Sequence, residues 1–352
     1  MSKVKLEDVA KEHKEVLNGD KSGLPVVGLE HLIPKEIKLE HWDVDVDNTF
    51  TKMFRKGNVL FGRRRAYLKK AAYATVDGVC SGDITVIEAI PGKILPELLP
   101  FIIQNDYLFD YAVGKSAGSL SPRVKWEHLK NFEFDLPEDL NKQKEIANLL
   151  WSMVDTKECY QNMIKATDEL IKSQFIDEIK KCEDLRIQKF SSIVKYLPKS
   201  TMNAADGKEN GIYPFFTSSV EQNKYCDVCL YDDSCLIIGN GGVANIQYYE
   251  GKFSVGSHSF VTKSIDEGVD TKYLYYYFYS NLGILEDGFR GVGIKNIPKE
   301  YINNIDIPIP SREKQLSLLK LFNQSDKSKF EIKKCLDELE KTYKKIISES
   351  LG

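Results

Sequence analysis

The chain has 352 residues, more than one compact core usually organises, so two units of roughly 150 residues with connecting elements are expected. With 42% hydrophobic and 29% charged residues, it can build packed cores and lacks the composition of a disordered chain. Lys and Arg (49) nearly balance Asp and Glu (52), for a net charge of -3, which excludes a uniformly basic coat for nucleic acid; any polyanion site must be a local patch.

The N-terminal stretch from Met1 to Val16 is charged throughout, with none of the apolar core of a signal peptide. The odd number of cysteines, at positions 80, 159, 182, 226, 229, 235 and 335, fits a reducing compartment. The apolar stretch from Ile94 to Ile103 is broken by Pro96 and Pro100, and no run nears the roughly 20 residues needed to span a bilayer. A soluble, cytoplasmic protein without a membrane partner is the expectation.

In chain order, Lys5-Leu6-Glu7-Asp8-Val9 and Pro25-Val26-Val27 come first, followed by an unusual run from Arg55 to Lys70. It carries seven basic residues and no acidic one: the strand Val59-Leu60-Phe61-Gly62 enters a glycine turn and presents Arg63, Arg64 and Arg65, with Lys69 and Lys70 just beyond. Arginine supplies paired donors for phosphate and guanine edges, and a loop on a rigid strand can carry such side chains into a groove. The competing reading is a solvated charged turn. After Cys80-Ser81-Gly82-Asp83-Ile84, a second basic and small-polar run holds Lys115, Ser119, Arg123 and Lys125, donors of the kind that bind phosphate. Residues 129 to 137 then read as a short alternating strand ending in Pro137. Lys142-Gln143 follows and opens a long segment with apolar residues at Ile146, Leu150, Met153, Tyr160, Ile164 and Ile171.

The second half repeats this order. Residues 302 to 310 align with 129 to 137 without a gap, and Lys314-Gln315 opens a second helical segment with Leu318, Phe322, Ile332, Leu336, Leu339, Tyr343 and Ile346. Upstream, Lys189-Phe190-Ser191-Ser192-Ile193, Pro214-Phe215-Phe216 and Leu236-Ile237-Ile238-Gly239 match the earlier anchors in order. Gly256-Ser257-His258-Ser259-Phe260 is set against Cys80 to Ile84, and Phe289 to Asn296, with Arg290 and Lys295, against the second basic run. The expected fold is mixed α/β (α+β): globular units at 1-138 and 183-310, long helices at 139-182 and 311-352. The aromatic run 273-279 is read, like 235-238, among the strand-forming stretches. Each helix is about 60 Å long with an apolar seam too narrow to be covered by a small domain, so the two are expected to pair with each other as an antiparallel coiled coil.

No catalytic constellation stands out. Gly239-Asn240-Gly241-Gly242-Val243-Ala244 satisfies a dinucleotide-binding pattern formally, but it runs into strand-like Asn245 to Tyr249 with no acidic residue at the required distance; a turn bringing Asn240 toward a ligand is the better reading. Cys226 and Cys229 lack a second pair at zinc-finger spacing, and no histidine clusters with them. There is no metalloprotease, serine-hydrolase or phosphate-loop motif. A protein without catalytic, metal or cofactor sites is expected.

Two similar globular halves, two long helices and the repeated strand-Pro-Lys-Gln junction resemble the specificity subunit of type I restriction-modification enzymes. The run Gly57 to Tyr67 with Asp77 to Ile84, and the junction Leu129 to Pro137 with Gln143 to Leu150, are similar to a target-recognition domain of that family and its conserved border. The resemblance implies a non-catalytic protein whose two recognition domains each read half of a bipartite duplex DNA target. It further implies helices that set the gap between half-sites and dock two adenine-methyltransferase subunits, which would carry the S-adenosylmethionine; it leaves open whether a restriction (nuclease) subunit joins. On it, Asn240, Ser257, His258, Arg290 and Lys295 are the contacts expected of the second half. The alternative from another class is a two-domain coiled-coil scaffold that binds protein partners and no DNA.

Overall fold

The computed structural model describes residues 2-293 and 295-352. The chain forms two compact units, Met1–Gln161 with Lys333–Gly352, and Asn162–Ile332, so that each long helix contributes one part to each unit.

In the first unit, Ser2–Lys5 pairs antiparallel with Glu133–Leu136, the strand of the junction. The central strand Val59–Gly62 lies between Ala71–Tyr73 and Ile84–Ala89, and the latter also pairs with Ala10–Glu12. A second sheet joins Pro25–Val27 to Gly78–Cys80 in parallel. Leu99–Ile103 and Asp106–Gly114 are helices on this core, with Phe61 stacked on Phe109 at 5.5 Å.

The second unit is built the same way. Arg186–Lys189 pairs with Asp306–Ile309, and Tyr231–Gly239 lies between Ile246–Val255 and Ser259–Ser264. Tyr213–Phe216 runs parallel to the end of Ile246–Val255. That long strand is continuous where the first unit has two short ones, so its sheet has six strands instead of two sheets of four. The run 273-279 is not a strand: Thr271–Ser280 is a helix, with Asp270 accepting the Lys272 N–H at 2.8 Å as its cap. Strand propensity of aromatics yields here because helical spacing lets Tyr273, Leu274, Tyr277 and Phe278 all be buried.

The long helices are Leu140–Lys180 and Arg312–Leu351. Asp139 caps the first by accepting the Asn141 N–H, and Ser311 caps the second by accepting the Lys314 N–H. Their glutamines explain the repeated junction. Buried Gln143 donates to the Pro137 carbonyl (2.8 Å) and accepts from the Leu95 N–H (3.1 Å). Buried Gln315 donates to the Pro310 (3.0 Å) and Gly268 (2.7 Å) carbonyls and accepts from the Asp270 N–H (3.0 Å). Each glutamine ties helix, strand end and head together.

Within the first unit, Ala147, Leu150 and Val154 of the first helix share a core with Ile347 and Leu351 of the second. Within the second unit, Ile171, Phe175 and Ile179 share one with Leu318, Leu319 and Phe322, and Phe175 meets Phe322 edge-on at 5.5 Å. Early residues of one helix thus meet late residues of the other, the antiparallel sense. The seam is not uniform: Ile164 and Leu339 are only half-buried, and Asp168, half-buried, accepts from Lys172 (2.7 Å), Tyr279 (2.5 Å) and Lys329 (3.0 Å). No helix among the described residues is long and apolar enough to cross a membrane.

Candidate nucleic-acid interface

Three segments converge beyond the central strand of the first unit. The Arg63 N–H donates to the Asp83 carbonyl (3.0 Å), the Val124 N–H to the Arg63 carbonyl (3.0 Å) and the Arg65 N–H to the Pro122 carbonyl (2.8 Å). The hairpin from Ala117 to Arg123 is closed by two reciprocal backbone bonds, with Gly118 at φ 113° allowing its tip to turn. The arginine loop, the Ser81-Gly82-Asp83 turn and the hairpin therefore form one backbone lattice.

On it, Asp83 holds two of the candidate arginines. Arg123 donates from Nε (2.7 Å) and Nη2 (3.3 Å) to the two carboxylate oxygens, while Arg64 approaches with Nη1 at 3.5 Å and places its Nε on Ser121 Oγ at 2.9 Å. The hydrogen bond from Arg123 holds the Asp83 carboxyl below its usual range, against the opposing effect of burial. Arg63 and Arg65 have no side-chain partner among the described residues, and Arg65 is exposed. Arg65 also adopts a left-handed conformation, φ 54°, that costs a non-glycine residue about 1–2 kcal/mol.

The rest of the basic run disperses. Arg55 pairs with Glu15 and Asp77. Lys69 pairs with Asp106 (2.6 Å) and lines a cavity of about 730 Å³ with Met153, Leu336 and Tyr343. Lys70 donates to the Leu29 carbonyl at 2.7 Å. The short helical turn Ala66–Leu68 lies between Arg65 and the two lysines. Ser119 is exposed in the hairpin, and Lys115 and Lys125 are exposed on its flanks.

The second unit reproduces the lattice bond for bond. The Asn240 N–H donates to the His258 carbonyl (3.0 Å), the Ile297 N–H to the Asn240 carbonyl (3.1 Å), the Gly242 N–H to the Lys295 carbonyl (3.0 Å), and Arg290 and Asn296 close the hairpin. Arg63, Arg64 and Arg65 therefore correspond to Asn240, Gly241 and Gly242, Arg123 to Asn296, and Asp83 to His258. This moves the sequence alignment of Cys80 to Ile84 by one residue, which the Ser81 and Gly256 N–H bonds to the Val27 and Phe216 carbonyls require. His258, Lys295 and Arg290 are exposed and Ser257 half-buried; Arg290 turns part of its guanidinium back onto the Asp287 and Phe289 carbonyls. Asn240 Oδ1 is buried without a partner among the described residues. Gly242 has the left-handed φ, 86°, that Arg65 adopts under strain.

Sequence reasoning passed over Asp83 and Asn296. Asp83 lies 20 positions from the loop it organises, and Asn296 is visible as a site residue only through its equivalence to Arg123.

The type I restriction modification DNA specificity domain matches residues 5–166 and again 183–341. The Escherichia coli type I restriction enzyme EcoDI specificity subunit is 31% identical over 117 residues, 33% of this chain and 25% of that protein. The matched part thus spans about a quarter of that relative's length. A candidate MjaX specificity subunit of Methanocaldococcus jannaschii is 23% identical across 94% of this chain and 87% of its own. Among solved structures, a chain from a study of complex assembly and conformational transition of a type I restriction-modification system matches with a TM-score of 0.61 at 17% identity, covering 99% of this chain and 96% of that one. The S subunit of such a system from M. genitalium gives 0.58 at 12% identity, covering 98% and 94%. At these identities the two structures speak for the fold alone.

Proposed function

The chain belongs to the type I restriction-modification DNA specificity family, and on that premise we propose that its two units each read one half of a bipartite duplex DNA target and dock two adenine-methyltransferase subunits. The chain itself performs no chemistry; S-adenosylmethionine and the methyl transfer belong to the methyltransferase partners. The observation that carries this reading is the pair of equivalent backbone lattices bearing different side chains, Arg64, Asp83 and Arg123 in one unit against Gly241, His258 and Asn296 in the other. A common frame with different donors is what two half-sites of different sequence require. Arg65 and exposed lysines such as Lys115 and Lys125 supply phosphate contacts and a salt-dependent affinity, and side chains held on the lattice read base edges. The paired helices fix the number of base pairs between half-sites.

The test is a mobility shift of duplex DNA by the chain with its methyltransferase subunits, together with sequencing of methylated sites in a host expressing them. Replacing Arg63, Arg64 and Arg65 together by Ala should weaken target binding by about 1–3 kcal/mol for each bidentate base pairing that is removed. Every phosphate left without its cation should flatten the salt dependence by about 0.9 in log–log slope. Unchanged affinity at moderate salt would leave the arginine loop without a role, and absence of any duplex binding would favour a protein-binding scaffold.

A further inference from the structure

We propose that Asp83 is a positioning residue that holds Arg123, with Arg64 beside it, to read a guanine in the half-site of the first unit, an inference that rests on the DNA reading above.

The first lattice holds a carboxylate where a polyanion binder should avoid one. Asp83 lies among Arg63, Arg64, Arg65 and Arg123, and a negative charge there repels phosphate and subtracts from affinity. It is nonetheless the best-connected side chain of the lattice. Its two oxygens take the Nε and Nη2 donors of Arg123, and Oδ2 also faces Arg64 Nη1. That consumes the side edge of the Arg123 guanidinium. The end edge, formed by Nη1 and the second hydrogen of Nη2, keeps two parallel donors spaced to meet O6 and N7 of guanine. Exposure agrees: the Arg123 and Arg64 side chains are 41% and 39% exposed, while Asp83 is 21% exposed beneath them. A guanidinium pinned along one edge has lost its rotamer freedom before DNA arrives, which favours selectivity over general attraction. His258 and Asn296 in the second unit provide neither the carboxylate nor the guanidinium, so the device belongs to one half-site.

Two roles for Asp83 predict opposite outcomes. If the arginines only attract phosphate, removing the opposing charge strengthens binding and leaves base preference alone. If Asp83 positions a base-reading arginine, Asp83→Asn strengthens binding to random duplex but loses discrimination.

The experiment is selection from a random duplex library by the full chain with its methyltransferase subunits, read by sequencing, for the unaltered protein, Asp83→Asn, Asp83→Glu and Arg123→Lys. Expected is a loss of about 5- to 150-fold in preference at one G·C pair of one half-site for Asp83→Asn. Arg123→Lys should affect the same pair, Asp83→Glu should recover part of the preference, and the other half-site should be untouched. Tighter target binding by Asp83→Asn with an unaltered motif would overturn the proposal, as would an Arg123→Lys protein that keeps the motif. Arg123→Lys preserves the charge, so it decides the matter even if Asp83→Asn folds poorly. A library showing no selected motif with the unaltered protein would instead mean that the reading of the whole chain as a DNA-specificity protein fails.

Discussion

The two units carry the same strand pairings, the same junction glutamine and the same backbone bonds around their loops, yet differ at nearly every side chain the loops present. Arg63, Arg64, Arg65 and Arg123 stand against Asn240, Gly241, Gly242 and Asn296. Backbone bonds fix a frame without reference to side-chain identity, so the loops are free to diverge while the strands and helix caps beneath them are not. Similarities beneath the lattice therefore concern stability, and the differences between the units collect in the side chains that the lattice carries.

The largest effect should come from treating one head as a module. Replacing residues 1-138 by the matching part of a related chain should rewrite one half of the methylated motif and leave the other half as it was, as read by sequencing methylated sites. If both halves changed together, the two frames would not be independent.

Next in size is the core where the second unit grips the helices. Phe322, almost fully buried, stacks on Tyr276 at 3.7 Å and meets Phe175 at 5.5 Å. Phe322→Ala should cost about 3–5 kcal/mol in urea unfolding of that unit. Ile164→Ala, at a half-buried seam position, should cost clearly less. Equal costs would mean that the helices are held uniformly along their length and not mainly within the heads.

A smaller effect tests whether the junctions are equivalent. Gln143→Leu removes the partner of the buried Pro137 carbonyl and of the half-buried Leu95 N–H, and Gln315→Leu that of the buried Pro310 carbonyl and of the half-buried Asp270 N–H; the Gly268 carbonyl, at an exposed residue, can turn to water. Both should destabilise by about 1–3 kcal/mol and to a similar degree, measured as shifts in denaturation midpoint. No loss in either would mean that the buried glutamines do not hold helix and strand end together.

That pair shows which parts of the molecule are legible in sequence. The junction repeats because in both halves a proline ends the strand, a cap residue follows, Asp139 or Ser311, and the glutamine comes one helical turn after that cap and bonds back to the proline carbonyl. The helices are legible from their period, and so are the central strand Val59–Gly62 and the second half of Tyr231–Gly239, apolar runs ending in glycine; the polar Asp232-Asp233-Ser234 hides the first half of the latter strand. The site is legible only in part. Arg63 to Arg65 stand out as charge, but the sequence does not reveal that Lys69 turns to Asp106 or that Asp83 gathers Arg64 and Arg123, since such pairings depend on where distant loops meet. The helix Thr271–Ser280 is concealed by its aromatic composition, and a one-residue slip hides the match of Asp83 with His258, because the segment between central strand and turn is two residues shorter in the second unit.

The smallest expected effect is a pH dependence of the first lattice. The hydrogen bond from Arg123 lowers the folded-state pKa of Asp83 from its ordinary 3.8. A carboxyl whose folded value is depressed stabilises the fold fully above its unfolded value, and that stabilisation fades as the pH falls through the lower, folded value. The stability gap between the unaltered protein and Asp83→Asn should therefore be constant from neutrality down to about pH 5 and narrow below 3.8. Other carboxylates titrate in the same range, among them Asp77 and Asp168; taking the difference between the two proteins cancels their contribution. Urea midpoints of the two proteins between about pH 3 and 7 provide the measurement. A gap for Asp83→Asn that stays level through the acid range would mean that the carboxylate is not held by the arginines in solution, and the difference between the two lattices would then lie in the arginines alone.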